Sequence, residues 1–266
     1  MTLYDFFKEN KDKRFVFVRA NMGNYGDDLI CLGARKMAQD LKIDFNEHNA
    51  IKDGLLHLKK GNEDVIIYIH GCGGLGSIYD YPVLYTADLR IKNPKNLIVW
   101  GGATVMLQRD FFKMTRFLDK NMIFFAREYV SYAFMKSVFP DNDIRIDECP
   151  SFYLKKEDFL SPKVNLHLKS LFIREDKYEK IDEPKMEEDF KKMINLRIDP
   201  VNANSFDEWV SFHMHSDLIV TNRCHSAILG SILGKDTYIF KNNYFKNRAL
   251  FKHSLEKRGV KWLLVD

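Results

Sequence analysis

Apolar residues along this chain gather in short runs, and most runs empty into a turn-rich stretch. Residues 14–19 (RFVFVR) are rich in β-formers and read as a short buried strand. A turn-rich loop over 21–28 follows, and from 29 to 41 the apolar positions recur on one helical face. Strand, glycine-bearing loop and helix in that order form the opening unit of a Rossmann-like domain. Residues 64–70 (DVIIYIH) are apolar without alternation, the pattern of a strand buried on both faces of a parallel sheet, and lead into the glycine-rich loop 71–76. Further strands are expected over 96–100 and 122–126, with a helix over 129–138.

The polar stretch 153–169, broken by Pro162, marks a crossover, after which the alternation resumes. Strands are expected over 170–174, 217–221 and 237–240. Helices are expected over 183–193, 206–214 (with Ser205 as N-cap) and 226–233. The reading is therefore α/β: two Rossmann-like domains, residues 1–160 and 161–266, in a GT-B-like arrangement with a central cleft.

Composition narrows the class of ligand. The charge of +4 arises from 41 basic and 37 acidic residues, and no Lys/Arg stripe with interleaved aromatics marks a nucleic-acid surface. It is compatible with an anionic small substrate or with peripheral contact at an anionic membrane surface. No segment reaches the roughly 20 apolar residues of a membrane span, and the first residues lack the apolar core of a secretory signal. A cytoplasmic location is the expectation. Cys31, Cys72, Cys149 and Cys224 are scattered without metal-ligand spacing, so no metal is expected and buried reduced thiols are.

In an open α/β sheet the residues following a strand line the ligand crevice. Five places stand out by that rule. The loop 71–76, with Gly73 and Gly74, permits close approach of an anion or sugar, or is simply a tight turn; no GxxxxGK[ST] is present. Arg127 and Glu128 follow one strand, with Ser131 a helical turn on; a surface ion pair is the alternative. Residues 221–225 (TNRCH) follow another strand and carry Arg223, a fork for carboxylate or phosphate, and His225, which exchanges protons near neutrality unless it is a core histidine. Lys246, in the run after the last expected strand, offers a further cation or a solvated lysine, and Arg174 ends another strand.

These residues, taken in order, resemble the polysaccharide pyruvyltransferase family, exopolysaccharide-type. NxGDxxI (Asn24, Gly26, Asp27, Ile30), ARExxS over 126–131, Asp147, T-[DN]-R-x-H over 221–225, LGK over 233–235, and Asn242, Asn243 and Lys246 carry the likeness across most of the chain. Asn222, Cys224, Ser226, Asn242 and the stretch 100–105 depart from the usual pattern.

The resemblance implies transfer of the enolpyruvyl group of phosphoenolpyruvate to a sugar of a polysaccharide or its precursor. A pyruvate ketal forms, phosphate leaves, and no cofactor is needed. Phosphoenolpyruvate and a saccharide acceptor, free or lipid-linked, are the implied partners. By this likeness His225 is the general acid, and Asp27 binds or deprotonates acceptor hydroxyls. Arg127, Arg223, Lys246, Arg174 and Ser131 hold the donor, while Asn24, Gly26, Gly73, Gly74 and Glu128 serve the acceptor or its loops; the N-terminal domain is the acceptor side and the C-terminal domain the donor side. Two alternatives share the fold: a GT-B glycosyltransferase using a nucleotide-sugar, and a non-catalytic carbohydrate- or anion-binding relative. A nucleotide-sugar donor calls for an acid at a strand end in the C-terminal half, and no convincing one is legible there.

Overall fold

A computed structural model of the chain describes residues 1–20, 24–72, 81–105, 121–159, 166–175, 186–243 and 245–264. Gly73 and Gly74 lie outside the described residues. Internal contacts divide the chain into two units: Met1–Gly23 with Ile30–Tyr153, and Asn24–Leu29 with Leu154–Asp266. The division at Tyr153 and Leu154 falls a few residues before the expected boundary at 160. That the second unit also claims Asn24–Leu29 was not legible in the sequence.

The first unit is built on β1 (Phe15–Arg19), β2 (Phe45–Asn49), β3 (Ile66–Ile69), β4 (Ile98–Ala103), β5 (Met122–Ala126) and β6 (Asp143–Ile146). They form one parallel sheet in the order β2-β1-β3-β4-β5-β6. Alternation along each strand sends its side chains to opposite faces, and both faces are covered. Phe15, Phe17, Tyr68, Val99 and Phe125 pack with α1 (Leu3–Glu9) and α2 (Tyr25–Asp40). Val18, Ile67, Ile69, Trp100 and Phe124 pack with α4 (Tyr81–Lys92) and α5 (Tyr129–Val138) on the other face. The short α3 (Ala50–Asp53) precedes β3. Each fully buried ring of this kind contributes about 1.5–3 kcal/mol.

The second unit carries β7 (Leu168–Phe172), β8 (Leu196–Ile198), β9 (Ser216–Thr221), β10 (Asp236–Ile239) and β11 (Lys261–Trp262), again all parallel, in the order β11-β10-β9-β7-β8. Its helices are α6 (Glu188–Met193), α7 (Phe206–Met214), α8 (Cys224–Ile232) and α9 (Lys246–Leu250). Ser205 caps α7 by accepting the Glu208 N–H at 3.1 Å. Gly234, at φ +69°, ends α8 in the left-handed conformation that only glycine adopts readily. The chain leaves β7 outward to β8 and returns to β9 on the other side, so the strand order reverses between β7 and β9, where open α/β sheets bind ligands. In the first sheet the reversal lies between β1 and β3.

Helix α2 begins at Tyr25, four residues before the expected start, so part of the expected loop 21–28 is a helical turn. Asn24 Oδ1 accepts the Gly26 N–H at 2.9 Å, and Asp27 Oδ2 accepts the Asn24 N–H at 3.3 Å. This reciprocal capping closes the helix start. All four cysteines are buried and outside any disulfide. Among the described residues no helix is long and apolar enough to cross a membrane.

Candidate functional site

The reversal point of the second sheet is held together by side chains from the strand ends. Thr221 closes β9 by donating its hydroxyl to Phe172 O of β7 at 2.7 Å, and the same oxygen accepts the Arg223 N–H at 2.9 Å. Asn222 Oδ1 accepts the Arg174 N–H at 2.8 Å, and Asn247 Nδ2 donates to Asn222 O at 2.7 Å and to Phe240 O at 3.0 Å. The ends of β7, β9 and β10 are thus stitched into one rim. Buried Lys246 begins α9 beside Asn247, so the solvated-lysine alternative does not hold.

Arg223 projects from this rim, and its guanidinium engages Asp199 with two parallel contacts, Nε to Oδ1 at 2.9 Å and Nη2 to Oδ2. The side chains are 11% and 3% exposed, so this is a buried ion pair and not a surface one. Asp199 also accepts the N–H of Glu175 at 3.1 Å and of Val201 at 3.3 Å, bringing its donors to four, about what a carboxylate can take. The sequence reading found no acid at a strand end of this half, and Asp199, directly after β8, corrects it. The three-residue β8 carries no alternation long enough to announce a strand, so its end could not be placed.

Arg223 is the N-cap of α8, and its own side chain makes no cap hydrogen bond there. A helix N-terminus carries partial positive charge, and its first N–H groups point at whatever sits there. His225 lies in this first turn, half-buried. Two departures from the family pattern flank it: Asn222 Nδ2 and Ser226 Oγ are buried and without a hydrogen-bond partner among the described residues.

The capped start of α2 meets α8 in the same unit. A Cβ built on Gly26 would lie 2.2 Å from His225 Nδ1, and Tyr25 Oη donates to Ala203 O at 2.9 Å. Residues 24–27 are therefore brought beside His225, with Arg223 and Asp199 in the same unit. The Asp27 carboxylate is buried and engaged in capping its own helix.

Arg127, Glu128 and Ser131 belong to the first unit. All three are buried, which removes the surface-ion-pair alternative. Arg127 Nε donates to Thr104 Oγ1 at 2.7 Å. Glu128 caps α5: its carboxylate accepts the Ser131 N–H at 3.0 Å and the Ser131 hydroxyl, while Ser131 Oγ accepts the Val105 N–H at 2.8 Å. Ser131 and Glu128 thereby latch the ends of β4 and β5. Asp147, quoted for the resemblance, holds the start of α1 by accepting the Leu3 N–H at 2.6 Å, and burial raises its pKa.

At the reversal point of the first sheet stands a residue the sequence reading passed over. His70 follows β3, is buried, and has no hydrogen-bond partner at either ring nitrogen among the described residues. It packs edge-on to Phe17 and Tyr68, with ring centroids 5.5 and 5.3 Å away. Burial, aided by the nearby charges of Arg35 and Arg19, pushes its pKa down to about 3.

Known proteins resemble this arrangement at two levels. The crystal structure of a functionally uncharacterized protein from Klebsiella pneumoniae subsp. pneumoniae superimposes with a TM-score of 0.74, covering 98% of this chain and 97% of its own, at 20% identity. That likeness speaks for the fold. No curated protein matches the sequence. The family described as polysaccharide pyruvyl transferase matches residues 24–244, from the capping turn of α2 through the Arg223 and His225 turn to the run after β10. The chain belongs to the polysaccharide pyruvyl transferase family.

Proposed function

We propose that this transferase takes phosphoenolpyruvate as donor at the start of α8 and builds a pyruvate ketal on a saccharide. The observation that carries the reading is the pairing of a carboxylate-locked Arg223 with His225 at a helix start that the Arg223 side chain does not cap, on the reversal point of the sheet. An anion with carboxylate and phosphate at opposite ends suits a fixed guanidinium and a positive helix terminus. Arg174, just after β7, and Lys246, at the start of α9, supply further positive charge in the same unit.

His225 gives a proton to the methylene carbon of the enolpyruvyl group, and positive charge develops at the adjacent carbon. A sugar hydroxyl adds there and loses its proton, the C–O bond to phosphate breaks, and a second hydroxyl closes the ketal with loss of its proton. A positioned acid contributes about 10²–10⁴-fold to such a step.

Commitment of Asp199 to Arg223 and two backbone N–H groups weighs against the nucleotide-sugar alternative, because a ribose would need acceptors that this carboxylate has already used. Thermal denaturation with phosphoenolpyruvate and with uridine or guanosine nucleotide-sugars tests the reading, since a ligand of the folded state raises the midpoint by mass action. The midpoint should rise with phosphoenolpyruvate only, and Arg223→Ala should lose the rise. An equal rise in wild type and Arg223→Ala removes the arginine from the donor site.

A further inference from the structure

We infer that Gly26 is a positioning residue for His225: the first turn of α2 is a seat that holds the imidazole, and only glycine leaves room for it. The inference rests on the reading of His225 as the acid, but the seat is a matter of packing and can be tested without turnover.

A Cβ on Gly26 would lie 2.2 Å from His225 Nδ1 and 2.6 Å from both its Cγ and its Cβ. Carbon and nitrogen atoms in contact sit about 3.5–4.0 Å apart, so each of these distances is a collision. Turning the imidazole away would relieve the first two contacts and leave the third, because His225 Cβ is fixed by the backbone of α8. The two helix starts would have to separate. Gly26 is not explained by its own conformation: it lies inside α2, where alanine is the better helix former, and its φ is not in the left-handed range. Close approach of the two helices is the reason that remains.

The seat is itself held. Asn24 Oδ1 takes the Gly26 N–H, Asp27 takes the Asn24 N–H, and Tyr25 Oη reaches Ala203 O. The turn is therefore anchored at its capping pair and at Ala203, in the segment that follows Asp199. Nδ1, Cγ and Cβ of His225 are the atoms that lie against the first turn of α2. The motif at residues 24–27, expected to meet the acceptor, thus acquires a duty toward the acid.

The test uses the full chain as Gly26→Ala, His225→Gly and the double variant, with three readouts: thermal midpoint, phosphate release with phosphoenolpyruvate and an acceptor saccharide, and the KM for phosphoenolpyruvate. Gly26→Ala should lower kcat by about 100-fold or more, with KM moving less than about threefold because Asp199 holds Arg223 independently. Gly26→Ala should also lower the midpoint in the wild-type background and leave it unchanged in the His225→Gly background, where no Cβ opposes the new methyl group. If Gly26→Ala alone fails to fold, recovery of a folded chain in the double variant supports the seat, and failure of both overturns it. A wild-type midpoint with turnover within about threefold, or an equal loss of midpoint in both backgrounds, also overturns it. Full turnover by His225→Gly would instead sink the acid assignment, and the thermal coupling would still decide the seat.

Discussion

Lowering the pH should unlock the first unit at His70. In the unfolded chain an imidazole titrates near 6.5, and in the fold burial holds this one at about 3. Between those values the unfolded chain binds a proton that the folded chain refuses, so stability is fully present above pH 6.5 and drains away as the pH falls toward 3. At pH 4.5 the unfolded imidazole is almost wholly protonated and the folded one almost wholly neutral. The loss relative to pH 7.5 is then about 2.6 kcal/mol, and a folded pKa near 4 would change that by only about 0.1 kcal/mol. With a typical urea dependence this moves the unfolding midpoint by roughly 1–2 M. The assay is urea denaturation at pH 7.5 and 4.5 for wild type, His70→Phe and His70→Leu. Both variants abolish the titration, so the difference between the two pH values should shrink by about 2.6 kcal/mol, whatever each variant does to absolute stability. An unchanged difference would falsify the assignment of His70 as a buried neutral imidazole without a partner.

The buried pair of the second unit should respond strongly to losing either half. Asp199→Ala leaves the Arg223 charge uncompensated and should cost about 3–5 kcal/mol in denaturant unfolding, with loss of phosphoenolpyruvate protection; a loss under about 1 kcal/mol would show the pair to be screened by solvent. His225→Ala should reduce phosphate release by about 10²–10⁴-fold while keeping thermal protection by phosphoenolpyruvate, and near-normal release from that variant removes the histidine from the mechanism. Ser131→Ala strips a donor from the buried Glu128 carboxylate and an acceptor from the Val105 N–H, so it should destabilise by about 1–3 kcal/mol with little change in the KM for phosphoenolpyruvate; a large KM change would return Ser131 to the donor site.

The strands that form the two sheet centres were legible because burial on both faces leaves unbroken apolar runs, as in residues 66–69 and 122–126. The elements that escaped are those whose signal is short or local. Helix α1 hides its logic in a capping box of Thr2 and Asp5 and in two buried phenylalanines within seven residues. Strand β2 (FNEHN) lies at the sheet edge and is mostly polar. The early start of α2 depends on Asn24 and Asp27 capping each other, in a stretch whose glycines and asparagines otherwise spell a loop.

The candidate site divides along the same line. Arg223 and His225 were legible because they follow a strong strand, and strand ends in such sheets face the crevice. What those residues do to one another was not, because it depends on partners distant in sequence. Asp199 stands 24 residues before Arg223 and Gly26 almost two hundred before His225, yet one fixes the guanidinium and the other borders the imidazole. Arg223 commits its Nε and one terminal nitrogen to Asp199, so on the reading proposed above a donor would meet a guanidinium whose orientation the acid has already set. On that reading both donor classes bring phosphate charge, and what separates them is the ribose of a nucleotide-sugar, whose hydroxyls would find the acceptor capacity of Asp199 already taken. The difference between the two donor classes therefore rests less on which cations are present than on where the nearest carboxylate is committed.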